Sequence, residues 1–141
     1  MISGEYSRQY LYRRVVKAKL FIDAHFFERI DLDDIADEAC FSKFHFVRLF
    51  RSVYRRTPHQ YLTHVRIERA KEMLSSGRTV AAVCFAVGFD SVSSFTGLFL
   101  RRTGATPAAW QRQKLARTAR MSSRPLTFVP NCFASKNGWK E

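Results

Sequence analysis

Residues 31–61 read DLDDIADEACFSKFHFVRLFRSVYRRTPHQY, and residues 79–110 read TVAAVCFAVGFDSVSSFTGLFLRRTGATPAAW. The second stretch repeats the first. At an offset of 48, Leu32, Ile35 and Phe41 fall on Val80, Val83 and Phe89. At 49, one residue having entered the turn, Ser42, Phe46, Leu49 and Phe50 fall on Ser91, Phe95, Leu98 and Phe99. Thr57-Pro58 then falls on Thr106-Pro107, and Tyr61 on Trp110. Any two amphipathic helices share apolar positions, but a Thr-Pro pair returning at the right distance marks a duplicated unit. Each unit reads as a short helix, a tight turn with Phe41 or Phe89 as a wedge, and a second helix. Gly88 can take positive φ in the second turn, whereas Cys40 occupies the matching place in the first and cannot do so cheaply.

Outside the repeat the apolar residues also recur at three and four, and no stretch alternates as a strand would. The expected fold is all-α, with about seven helices forming two helix-turn-helix subdomains joined by a long central helix. The first helix is expected over Tyr6 to Glu28, with Leu11, Val15, Leu20, Ile22 and Phe26 available for burial. Asp31 caps the second helix, which presents Leu32, Ile35, Ala36 and Ala39, and Asp33 and Asp34 favour its positive end. Ser42 opens the third, in which Phe46, Leu49, Phe50 and Val53 are committed to the core. Thr57 caps the long helix, with Pro58 in its first turn, and Gly77 follows its end. Thr79 caps the fifth helix, Asp90 or Ser91 the sixth, and Thr106 the seventh, which is expected to end near Ala116. The boundaries are therefore 1–56 for the first helix and first unit, 57–76 for the linker helix, 77–116 for the second unit and its closing helix, and 117–141 for a basic and apolar tail.

Charge narrows the partner. The chain carries 24 Lys and Arg against 12 Asp and Glu, a net of +12. Residues 1–41 hold 6 basic and 8 acidic residues, so the excess lies elsewhere. Residues 42–56 carry Lys43, Arg48, Arg51, Arg55 and Arg56 without an acid, and residues 91–120 carry Arg101, Arg102, Arg112, Lys114, Arg117 and Arg120 without an acid. A merely solvated face would mix signs. Both blocks begin at the second helix of a repeat, the element that enters the major groove in a helix-turn-helix. Charge and repeat thus select the same two helices, and double-stranded DNA is the expected partner.

The stretches IADEACFSKFHFVRLF, TPHQYLTHVRIERAKEML and VAAVCFAVGFDSVSSFTGLFLRRTGATPAAW together resemble the DNA-binding domain of the arabinose-regulator (AraC/XylS) family of bacterial transcription factors. The resemblance covers about residues 7–116, and the third stretch is the family's signature region. It implies seven helices in two helix-turn-helix subdomains, with recognition helices in successive major grooves of promoter DNA. A helix from Thr57 to Ser76 would be about 30 Å long, against roughly 34 Å for a turn of DNA. With few residues before the first helix, the chain is expected to be a stand-alone member acting as a monomer on DNA. RNA polymerase is the further expected partner.

On the third helix the face left over by the core holds Phe44, Val47, Arg48 and Arg51. Positions 44, 47 and 48 match the family's base-contacting positions. Arg48 can give two hydrogen bonds to one guanine, and Phe44 and Val47 suit thymine methyls. The alternative for Phe44 is packing against the first subdomain. Lys43, Arg51, Arg55 and Arg56 are expected on phosphates, which position without specifying. The sixth helix offers Val92, Ser93, Thr96, Gly97 and Leu100, with Val92, Ser93 and Thr96 toward bases and Arg101 and Arg102 toward phosphate. Family members commonly carry a basic or long polar residue at 97 and Lys at 100, so the second unit is expected to anchor more than it reads. Arg55 likewise stands where the family often has Gly, a role Gly104 keeps in the second unit.

Other chemistry is thinly represented. His25, His45, His59 and His64 are scattered, and neither Cys40 with His45 nor His59 with His64 finds third and fourth ligands. No metal or other cofactor is expected. No nucleophile with base and orienting acid is visible, and no Gly-rich phosphate loop, so an enzyme is not expected. Cys40, Cys84 and Cys132 form no CxxC pair and fit a reducing compartment. There is no apolar leader and no apolar run of membrane-spanning length, so a cytoplasmic protein without membrane contact is expected. The competing class is an interaction module whose basic faces bind an acidic protein or RNA polymerase, with DNA contact secondary.

Overall fold

A computed structural model of the chain describes residues 4–39 and 42–123. Seven helices follow in order: α1 Gly4–His25, α2 Leu32–Ala39, α3 Lys43–Tyr54, α4 Pro58–Ser75, α5 Val80–Ala86, α6 Val92–Thr103 and α7 Pro107–Ser123. Among the described residues there is no strand, and no helix is long and apolar enough to cross a membrane.

The starts of the helices follow from local chemistry. A helix leaves its first amides without partners, and a side-chain oxygen just before it can take one. Asp31 accepts from the Asp34 N–H at 3.0 Å while the Asp34 carboxylate accepts from the Asp31 N–H at 2.9 Å, a reciprocal box. Thr57 and Gln60 form a second such box, at 3.2 and 3.0 Å. Ser42, Thr79, Ser91 and Thr106 each accept one amide. Ser91 rather than Asp90 therefore caps α6.

Two cores form, one per repeat. The first gathers Val15, Ala18 and Ile22 of α1, Ile35 and Ala36 of α2, Phe46 and Phe50 of α3, and Leu62 of α4. The second gathers Ile67, Ala70 and Leu74 of α4 with Val83, Cys84, Val87, Phe95 and Phe99. The duplication extends to the rings. Phe46 and Phe50 stand 5.7 Å apart, as do Phe95 and Phe99; Tyr61 lies 5.8 Å from Phe50 and Trp110 lies 5.9 Å from Phe99. Such edge-on aromatic pairs add stabilisation beyond the area they bury. Leu49 and Val53 lie against the first core half-covered, and Phe89 against the second.

α4 belongs to both cores. Its apolar face turns around the helix between Leu62 and Ile67, so its first half buries into one unit and its second half into the other. Side chains fasten both ends. The Tyr61 hydroxyl donates to Asp23 Oδ1 at 2.7 Å, and Lys19 pairs with the same carboxylate at 2.9 Å. Burial, aided by the Asp23 bond, pushes the Tyr61 phenol up to about 12, so it remains a donor. At the other end the Gln111 amide of α7 donates to the Leu74 and Arg78 carbonyls.

Three expectations are corrected. α1 ends at His25 rather than Glu28, because the chain turns there and Phe26 leaves the α1 face to touch both cores. Leu20 is 57% exposed, since it lies opposite the Val15, Ala18 and Ile22 stripe. α7 continues past Ala116 to Ser123, through residues that favour helix, before Pro125 interrupts the pattern. Cys40, Phe41 and the segment 124–141 lie outside the described residues, as do the side chains of Leu32 and Ala39.

The two recognition helices end alike. Gly104 takes φ 81° and its N–H bonds the Leu100 carbonyl at 2.8 Å; Arg55 takes φ 62° and its N–H bonds the Arg51 carbonyl at 2.9 Å. An L-residue held in this left-handed region costs roughly 1–2 kcal/mol that glycine avoids. Arg55→Gly is expected to stabilise the fold by about 1 kcal/mol in urea unfolding.

Candidate nucleic-acid interface

The third and sixth helices turn their outer faces to solvent. Lys43, Phe44, Val47, Arg48 and Arg51 line one surface groove along α3. Phe44 is 83% exposed, which excludes packing within the first subdomain as its role. The ring shares its groove with Val47, so the exposed apolar surface there is a patch and not a lone side chain. Arg48 and Arg51 are exposed on the same face, and Val47 is half-buried beside them. Lys43 is already paired with Asp33 of α2 at 3.0 Å. Such an exposed pair is worth little and exchanges readily.

On α6, Val92, Ser93, Leu100, Arg101 and Arg102 are exposed, while Thr96 and Gly97 are half-covered. Ser93 lies 3.5 Å from the capping hydroxyl of Ser91. The helix contains no carboxylate, so its surface is apolar, hydroxylic and basic only.

Arg55 and Arg56 stand at the far end of α3, away from Phe44, and the linker brings them toward the second unit. The imidazole of His64 on α4 shows this. Burial lowers its pKa below 6.5, and the charges of Arg56, Arg102 and Lys71 push it the same way against Glu68. One side chain thus feels Arg56, just past the end of α3, and Arg102 of α6. Among the described residues no cluster of His, Cys, Asp and Glu is suited to hold a metal ion.

Sequence reasoning missed Arg66. Its Nε donates to the Phe26 carbonyl at 2.7 Å and its Nη2 to the Glu28 carbonyl at 2.9 Å, satisfying oxygens where α1 ends. Its guanidinium lies 5.8 Å from the centre of the Phe89 ring in the turn of the second unit. Gly88 makes that approach possible. It has φ 96°, and a β-carbon there would sit 2.8 Å from the Phe26 oxygen and 3.1 Å from the Arg66 guanidinium carbon. Arg29 and Asp90 close the same cleft at 3.8 Å. The signal was present: Arg66 stands four residues from both Leu62 and Ala70, a charge set between apolar residues on a helix.

Comparison with known proteins follows the same outline. Residues 35–113 match a family described as a helix-turn-helix domain. The Transposon Tn10 TetD protein of Escherichia coli is 31% identical over 116 residues, covering 81% of this chain and 84% of that protein. The MmsAB operon regulatory protein of Pseudomonas aeruginosa is 36% identical over 94 residues, 66% of this chain and 31% of that protein. The first curated relatives it matches are longer, and the chain spans 31 to 58% of their length. Among solved structures, the DNA-binding domain of the global transcriptional factor AdpA, in complex with a target DNA, superposes with a TM-score of 0.68 at 28% identity. The match covers 79% of this chain and 96% of that one.

Removing Arg66 should reveal how much the junction holds. Arg66→Ala strands the partly buried Phe26 carbonyl, frees the exposed Glu28 carbonyl to water and empties a packed site, and is expected to cost roughly 1–3 kcal/mol in thermal or urea unfolding. Arg66→Lys keeps the charge but cannot serve both oxygens with a planar fork, so it should fall between. Equal stability of wild type and Arg66→Ala would remove the junction's assigned role.

Proposed function

The chain belongs to the AraC/XylS family of helix-turn-helix regulators, and on that premise we propose that it binds double-stranded DNA at specific sequences and regulates transcription. The observation that carries this reading is the pair of capped recognition helices, α3 and α6, whose outer faces are exposed and free of acid. In the chain they lie before and after a shared linker of 18 residues. At 1.5 Å per residue that linker is about 27 Å long, a length that suits major grooves one helical turn apart.

In this reading Phe44, Val47 and Arg48 meet base edges from α3, and Val92, Ser93 and Thr96 from α6. Arg48 supplies the hydrogen-bonding fork and Phe44 an apolar face for thymine methyls. Arg51, Arg55, Arg56 and Arg102 hold phosphates, joined by Lys43 once it exchanges Asp33 for DNA. Two units in one chain supply two half-sites, so one molecule occupies the duplex. RNA polymerase is the further partner we propose, since regulators of this class act at promoters.

Selection of bound sites from random duplexes tests the reading. Arg48→Ala should cost about 1–3 kcal/mol on the selected site and relax preference at one base pair. Arg56→Ala should weaken selected and random duplexes alike and reduce the slope of log affinity against log salt by about 0.9. If wild type binds selected and random duplexes equally well, sequence-specific recognition is refuted, and an acidic protein partner becomes the better account of the basic surface.

A further inference from the structure

α6 has a gap in its outer face and an arginine lying over it. Gly97 occurs mid-helix, where it costs about 1 kcal/mol relative to alanine, and it lies on the exposed side with Ser93 and Arg101 at spacings of four. Side chains on a helix lean toward its N-terminus, so residue 101 covers the ground above residue 97. A β-carbon built at Gly97 has one heavy atom within 4 Å outside the helix backbone, Arg101 Nη1 at 3.8 Å. The guanidinium therefore rests where a long side chain at 97 would begin. No carboxylate on α6 draws it there.

The neighbouring arginine behaves differently. Arg102 is one residue on, about 100° further around the helix, and its charge is felt at His64 on the linker. It faces the flank, where a phosphate would pass. The geometry points to Arg101 as a base-reading residue of the second unit, taking the groove-facing place that Gly97 leaves vacant, instead of the phosphate contact that its position in the basic block implied. This rests on the reading above that α6 enters the major groove. A guanidinium over that face offers the planar fork that matches the O6 and N7 edge of guanine. The second unit then reads a base pair strongly, where Ser93 and Thr96 alone supply hydroxyls that accept or donate to several bases.

Site selection and titration with wild type, Arg101→Ala, Arg102→Ala and Gly97→Leu separate the possibilities. Arg101→Ala should lose roughly 5- to 150-fold on the selected site and flatten one base pair in the half facing α6. Arg102→Ala should weaken selected and random duplexes by the same factor. Gly97→Leu should displace the guanidinium and flatten that same base pair while the melting temperature holds or rises, so the loss is not unfolding. Adding Arg101→Ala to Gly97→Leu should then cost little more, as expected of two changes acting through one contact. Equal loss on selected and random duplexes for Arg101→Ala, or an unchanged base preference in Gly97→Leu, overturns the proposal while leaving α6 in the groove. A wild-type site with no information in the α6 half, together with neutral behaviour of all α6 variants, overturns the groove reading and this proposal with it.

Discussion

Two hydrogen bonds from Arg66 to the carbonyls of Phe26 and Glu28 hold the molecule's geometry together. A protein that reads two grooves must fix the distance and angle between its reading elements. Flexible joining would make each half-site bind alone and lose the advantage of simultaneous contact. Arg66 is on the linker, its acceptors belong to the turn between α1 and α2 of the first unit, and Phe89 beneath its guanidinium belongs to the second. Its charge is partly buried, and burial pulls its pKa down while Asp90 opposes the shift. A buried cation without its acceptors is costly, so the position tolerates one arrangement of the two units and penalises others. Phe26, packed against both cores, seals the same junction with apolar surface.

The duplicated units are alike where packing rules and different where solvent does. Phe46 and Phe50 match Phe95 and Phe99 in burial and in ring spacing. Interiors packed like crystals leave little room for drift at such positions. The outer faces have no such constraint. α3 carries Phe44, Val47 and Arg48 where α6 carries Ser93, Thr96 and Gly97. The helix ends share one conformation but not one residue, since Arg55 adopts the left-handed geometry that Gly104 takes without strain. An arginine thus sits in a backbone conformation that disfavours it, the kind of local strain found at functional positions.

What the sequence revealed depended on whether a residue's neighbours were close in the chain. Caps at Asp31, Thr57, Thr79 and Thr106, the rings of both cores and the exposed face of α3 follow from local spacing, and the structure has them. α4 was legible as a helix but not as an element with two buried faces, because its apolar residues turn around the axis and present no single stripe. Leu20 was taken for core because its type outweighed its angle on the helix. The end of α7 was placed too early because Ala116 closes the apolar pattern while helix-favouring residues continue. Arg66 was not singled out and Arg101 was read as an ordinary member of a basic run; what distinguishes them is contact across 38 to 40 residues in one case and an absent side chain in the other.

The shared linker has a consequence for how the molecule comes apart. Ile67, Ala70 and Leu74 are buried in the second core, and Leu62 in the first, on a continuous helix. Unravelling either core would leave half of α4 with an apolar face in water, and a helix of that length has little stability of its own there. Loss of one reading head therefore propagates along the helix into the other. The chain has two helix-turn-helix units but a single cooperative body, and a fragment ending near Gly77 would carry Ile67, Ala70 and Leu74 uncovered. Such a surface draws other chains, so a ribosome that has emitted only the first unit presents an incomplete molecule, and the fold closes only once α5, α6 and α7 have emerged.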